Sequence, residues 1–171
     1  MALKLVRPFA AIGLLIGGSA APASTPPAPG VVRHGGEGPS PILTGVTVPA
    51  GAETLYLSGQ VPPVADKAAD PATPAAYGDT KAQAIGVFRK IEALLAAQGY
   101  ALKDVVKLTV FLVGDPKLGG RQDFKGFSEA YAEFFGTATQ PNKVARSTVQ
   151  VAALANPGFL VEIEATAVRV K

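Results

Sequence analysis

Cysteine is absent from this chain of 171 residues, as is tryptophan, and histidine occurs once. Without cysteine there can be no disulfide, no thiolate nucleophile and no lipid attachment at a cysteine. Without cysteine and with one histidine a structural zinc site has no ligand set. A strong excess of one charge is missing too: 16 Lys and Arg face 13 Asp and Glu. No basic cluster interleaved with aromatics suggests a nucleic-acid partner. Nor is there an uncharged apolar run of about 18 residues, as a membrane-spanning helix needs.

What remains is a globular composition, 48% hydrophobic and 17% charged, long enough for one core of ordinary size. One domain is expected. Before it, Lys4 and Arg7 precede the apolar stretch 9–16, and small residues follow around Ala21-Pro22-Ala23. That order reads as a secretory signal peptide over 1–23, so the mature domain is expected in the periplasm, free of the membrane. Its removal takes two of the 16 basic residues and leaves 14 against 13 acidic ones, a net charge of +1. Residues 24–37, rich in Pro, Ala and Gly, read as a flexible linker. His34 beside Gly35 and Gly36 reads as a solvated loop residue.

The folded part is expected over 38–171. Pro41–Val48 and Glu53–Ser58 are β-rich runs separated by Pro49-Ala-Gly51, the punctuation of a hairpin. Thr73-Pro74 reads as a cap and first turn, so a long helix is expected from there to Gly99. Its apolar stripe is Ala84, Ile85, Phe88, Ile91, Leu94 and Leu95. Asp104–Val113 is nearly continuous in apolar residues and reads as a central strand reached by a crossover. A Gly-rich connection, Gly114–Gly120, lacks the lysine-hydroxyl ending of a phosphate loop. A second helix follows over Asp123–Phe135, and its stripe of Phe124, Phe127, Tyr131, Phe134 and Phe135 reads as core. Arg146–Val151 and Val161–Val168, with Asn156-Pro-Gly158 between them, read as a terminal hairpin carrying one arginine opposite two glutamates. The fold class is α+β, with about six mainly antiparallel strands and two helices on one face.

From the residues alone, Arg146 is either an anion anchor or half of a structural ion pair with Glu162 or Glu164. These two glutamates share one strand face by the period of two, so spacing does not choose between them. Ser58 and Thr148 have no His/Asp pattern around them, which makes a serine-type nucleophile a poor reading; both read as pocket-lining hydroxyls or plain strand residues.

The segments Ser58-Gly-Gln-Val-Pro62, Asp104-Val-Val-Lys-Leu-Thr-Val-Phe111, Tyr131-Ala-Glu-Phe-Phe135, Ala145-Arg-Ser-Thr-Val149 and Glu162-Ile-Glu-Ala-Thr-Ala167, in this order, resemble the RidA (Rid/YjgF) family of enamine and imine deaminases. The resemblance implies a homotrimer of chorismate-mutase-like domains with ligand clefts at subunit interfaces. It implies hydrolysis of 2-imino acids to 2-keto acids and ammonia, without metal or cofactor. It implies that Arg146 binds the substrate carboxylate, Glu162 positions water, and Ser58 and Gly59 line the pocket. Thr148 stands where the family has cysteine and Ser128 where it has asparagine, and both carry over as substrate-binding positions. Ser40 replaces a tyrosine after Gly38-Pro39. The alternative is a non-catalytic trimeric module, chaperone-like or binding small carboxylates.

Overall fold

The computed structural model describes residues 30–170; the signal-peptide reading of 1–23, with linker residues 24–29, lies outside the described residues. The elements run β1 (Val32–His34), β2 (Gly45–Thr47), β3 (Glu53–Gln60), α1 (Thr80–Ala97), β4 (Val105–Val113), α2 (Phe124–Ala132), β5 (Ala145–Val151) and β6 (Val161–Arg169). Among the described residues there are six strands and two α-helices, as expected for an α+β chain. The strands divide into a β1-β2 ribbon and a four-stranded sheet of order β3-β6-β4-β5, in which only the β4–β5 pairing is parallel.

Neither expected hairpin forms. β2 pairs with β1, and β3 pairs instead with β6 from the far end of the chain. Strands β5 and β6 are not neighbours, because β4 stands between them. The helices explain this: each crosses from one strand to the next parallel one, so α1 links β3 to β4 and α2 links β4 to β5. The gap that the first crossover leaves is filled by β6, antiparallel to both β3 and β4. The ribbon also moves the start of the ordered domain: β1 falls inside the stretch read as a linker. Arg33 fixes it, donating from Nη1 to the carbonyls of Val105 (3.0 Å) and Lys143 (2.8 Å) and from Nη2 to that of Lys103 (2.8 Å). His34 is therefore a strand residue, exposed, with Nε2 2.8 Å from the Thr47 hydroxyl.

The long helix starts later than Thr73-Pro74. Those residues open a single 3-10 turn, Pro74–Ala76, and Gly78 then takes a positive φ of 91° that breaks the path. Asp79 is the true cap, accepting from the Ala82 N–H at 2.8 Å. The helix ends where Gly99 adopts φ 75°, and the Tyr100 N–H returns to the Leu95 carbonyl.

One face of the sheet meets both helices. Leu108, Val110 and Leu112 of β4 and Val161, Ile163, Ala165 and Ala167 of β6 are buried against Ala84, Phe88, Ile91 and Leu95 of α1 and Phe127 and Tyr131 of α2. Phe88 is the hub, with ring centroids 5.1 Å from Phe134, 5.8 Å from Phe135, 6.1 Å from Phe127 and 6.3 Å from Tyr131. The opposite face is covered by no helix, and Tyr56 (77% exposed) and Val149 (46%) project from it.

Gln83 is a fully buried polar residue on α1. Its Nε2 donates to the Gly158 carbonyl (3.0 Å) and its Oε1 accepts from the Leu160 N–H (2.8 Å), clamping the turn before β6. Gln83→Leu strands two buried backbone groups, each costing about 1–3 kcal/mol. A loss of roughly 2–4 kcal/mol in urea unfolding is expected, and a change below about 0.5 kcal/mol would contradict the clamp.

Candidate functional site

Side-chain alternation along β4 decides where the expected site residues go. In the β4–β5 register Arg146 is opposite Leu108 and Thr148 opposite Val110; in the β4–β6 register Glu162 is opposite Phe111 and Glu164 opposite Thr109. Laterally paired residues point to the same face, and Leu108 and Val110 are core residues. Arg146 and Thr148 therefore belong to the helix side of the sheet, while Glu162 and Glu164 lie on the open side. Within one chain the arginine and the glutamates do not converge, because the hairpin that was to join them is absent.

On the helix side, Arg146 sits at the outer edge, since β5 is the last strand. Its guanidinium carbon stacks 4.4 Å from the centroid of Tyr131, 5.0 Å from Phe127 and 5.9 Å from Phe124. The aromatic stripe of α2 thus has two uses. Phe127 and Tyr131, with Phe135 just beyond the helix, are buried in the core, and the first two also offer π faces to a cation. Phe124, 47% exposed, stands at the mouth. Ser128, half-buried, follows it by one helical turn.

Among the described residues Arg146 makes no ion pair: the salt bridges are Lys81 with Glu129 and Glu133, Lys125 with Glu129, and Arg169 with Glu53. Within one chain Arg146 therefore forms no structural pair with Glu162 or Glu164. Its Nη1 is buried without a hydrogen-bond partner, and so is the Thr148 hydroxyl two residues along the same face. Burial lowers the Arg146 pKa from its usual value, opposed by its interaction with Tyr131, whose own pKa burial raises. A desolvated guanidinium with a free donor is costly unless something anionic completes it. The rim beside it is held by the loop before β2: Tyr131 Oη donates to the Pro41 carbonyl (3.1 Å), and Lys143 Nζ donates to the carbonyls of Gly36 (3.0 Å) and Ser40 (2.8 Å).

On the open side, β3 and β6 slip register between Leu57 and Gln60, a bulge that contains Ser58 and Gly59. The half-buried Glu162 packs its carboxylate where a side chain at Gly59 would have to go. Ser58 and Glu164 line an adjoining hollow of about 260 Å³ with Tyr56, Lys107, Thr109 and Thr166. Among the described residues no group of three or more His, Cys, Asp or Glu side chains could hold a metal ion. Sequence reasoning missed Gln122: its Oε1 is a third buried, unpartnered polar atom, and one glutamine in a loop carries no motif that marks it.

Three outcomes are expected of this geometry. Arg146→Met removes an uncompensated half-buried cation and retains the stem, so unliganded stability in urea unfolding should change by less than about 1 kcal/mol or rise. Small carboxylates should raise the melting temperature of the parent protein and not that of the variant. Gly59→Ala forces the Glu162 carboxylate aside, and crystallography or NMR of the variant should find that side chain displaced.

Residues 46–169 match the family model described as Endoribonuclease L-PSP. A RutC family protein of Pyrococcus horikoshii is 40% identical over 114 residues, which span 66% of this chain and 77% of that one. TdcF of Escherichia coli K12, named as a candidate reactive intermediate deaminase, is 34% identical over 131 residues, 75% of this chain and 87% of that one. A crystal structure of Escherichia coli TdcF with bound serine superposes with a TM-score of 0.52 at 30% identity, covering 78% of this chain and 91% of that one. With its matched segment, its α+β layering and its anion-ready arginine taken together, the chain belongs to the Endoribonuclease L-PSP family, the Rid/YjgF/RutC group.

Proposed function

We propose that this protein hydrolyses 2-imino acids to 2-keto acids and ammonia. The observation that carries the reading is the Arg146 guanidinium, half-buried on an aromatic face, unpaired with any acid among the described residues and left with a free buried donor. Such a group suits a small planar carboxylate, which accepts paired N–H donors and is desolvated together with them. TdcF supports the reading from outside the chain, through its name and through the serine, itself a small amino carboxylate, bound in its crystal structure.

Water attack then needs a base. In the proposed mechanism Arg146 orients the substrate by its carboxylate and Glu162 takes a proton from water as the oxygen bonds to C2 and the C=N electron pair moves to nitrogen. That proton passes to nitrogen to give the carbinolamine; the hydroxyl proton then passes by way of the Glu162 carboxylate to the same nitrogen as the C=O bond forms and the C–N bond breaks, and ammonia leaves. Because Arg146 and Glu162 occupy opposite faces of one sheet, the proposal includes a homotrimer in which the cleft is completed between copies. The uncovered face supports this: Tyr56 and Val149 expose apolar surface there, against no element of their own chain.

The test is 2-keto acid release from imino acids that an amino acid oxidase generates in situ. The wild type should exceed spontaneous hydrolysis. Arg146→Ala should lose about 10²-fold, the worth of one or two charge-assisted hydrogen bonds. Glu162→Gln should lose about 10²–10⁴-fold, as for a general base. A wild-type rate equal to the uncatalysed background would overturn the proposal, leaving a carboxylate-binding module.

A further inference from the structure

We infer that Gln122 is a substrate-contacting residue that accepts a hydrogen bond from the nitrogen of the bound molecule and so favours the imino substrate over the keto product. The inference rests on the carboxylate reading of Arg146 given above.

Gln122 ends the connection between β4 and α2, and that connection is held down onto the edge strand. Gln150 of β5 accepts from the Gln122 N–H at 3.0 Å and donates from Nε2 to the Gly120 carbonyl at 3.0 Å. The Asp115 N–H closes the base of the loop on the Arg121 carbonyl at 3.0 Å. Gly114 lies so close to the Gly120 carbonyl that no side chain fits there. Gln150 follows Arg146 and Thr148 in steps of two along the same face of β5, so the backbone of Gln122 is anchored at the end of their row. Phe124, two residues after Gln122, lies over the Arg146 guanidinium.

Three of the four buried side-chain polar atoms without a partner among the described residues belong to this row and its rim: Arg146 Nη1, Thr148 Oγ1 and Gln122 Oε1. Their capacities differ. The guanidinium only donates, the hydroxyl does either, and the amide oxygen only accepts. Leaving a buried donor and a buried acceptor unmet is costly, so a molecule that completes both offers an acceptor to Arg146 and a donor to Gln122. A 2-imino acid has this pattern: its carboxylate answers Arg146, and the N–H on the adjacent carbon answers Gln122. The 2-keto product carries an oxygen at the same place, which meets the Gln122 oxygen with no proton between them. A site built to hydrogen-bond an N–H discriminates against the analogue lacking it, and here the discrimination speeds product release.

Calorimetric binding of 2-aminobutanoate and 2-oxobutanoate, stable compounds with and without the N–H, tests this on four proteins. The wild type should bind the amino acid about tenfold more tightly than the keto acid. Gln122→Leu should bring the two within about twofold by weakening the amino acid alone, so unchanged keto acid binding certifies a folded site. Gln122→Glu, which accepts and cannot donate, should keep or enlarge the preference. Equal preference in wild type and Gln122→Leu, no preference in the wild type, or no binding of either compound would overturn the assignment. Arg146→Ala should lose both ligands; if it binds both as wild type does, the carboxylate reading fails and the assignment of Gln122 with it. If selectivity depends on Gln122 and imines are not hydrolysed, only the deaminase proposal falls.

Discussion

Insertion of the last strand, β6, between β3 and β4 is the constraint from which the rest of the molecule follows. Two α-helical crossovers lay down β3, β4 and β5 in parallel, and only an antiparallel strand can close the gap between the first two. Once β6 is there, its alternation is committed. Val161, Ile163, Ala165 and Ala167 go beneath the helices, and Glu162, Glu164 and Thr166 go to the uncovered face. Strand β5 is left at the rim, paired along its length on one side only, which is how an arginine can be in contact with the core and still reach a ligand.

The aromatic surface of α2 makes that position tenable for a charge. Phe88 of α1 gathers the rings of α2 into one cluster, and the outer part of that cluster turns π faces toward Arg146. The packing that joins the helices to each other therefore also shapes the surroundings of the Arg146 guanidinium. A cation held in this way is partly desolvated, and cation–π contact offsets only part of that cost. The remainder is available to a carboxylate, which makes binding and the completion of the folded state aspects of one electrostatic problem.

In the proposed site the loop from Gly114 to Gln122 contributes specificity through an uncharged amide. Its backbone is held to the edge strand by the Gln150 side chain, which places the Gln122 amide at the rim. Arg146 answers to charge and Gln122 to the identity of one atom, so the two divide affinity and selectivity between them.

Local chemistry was readable from the chain alone: the apolar stripe of α1, the stop at Gly99, the aromatic stripe of α2, the central strand β4 and Arg146 as a candidate anchor, with Glu162 and Glu164 left undivided until the family resemblance chose the first. These depend on periodicity and on a few residue types whose backbone or ionic preferences hold in any fold. Pairing was not readable. β2 and β3 are adjacent in sequence with a good turn between them, and so are β5 and β6, but each found a distant partner because burying the sheet under two helices outweighs the short-range turn. That choice placed Arg146 and Glu162 on opposite faces, drew Arg33 and the ribbon into the domain, and brought Gln122 onto the edge strand that carries Arg146. The amino-acid sequence by itself determined which groups could hold an anion or deliver a proton; only the tertiary structure decided which of them share a surface, since a face is a property of strand register and not of order along the chain.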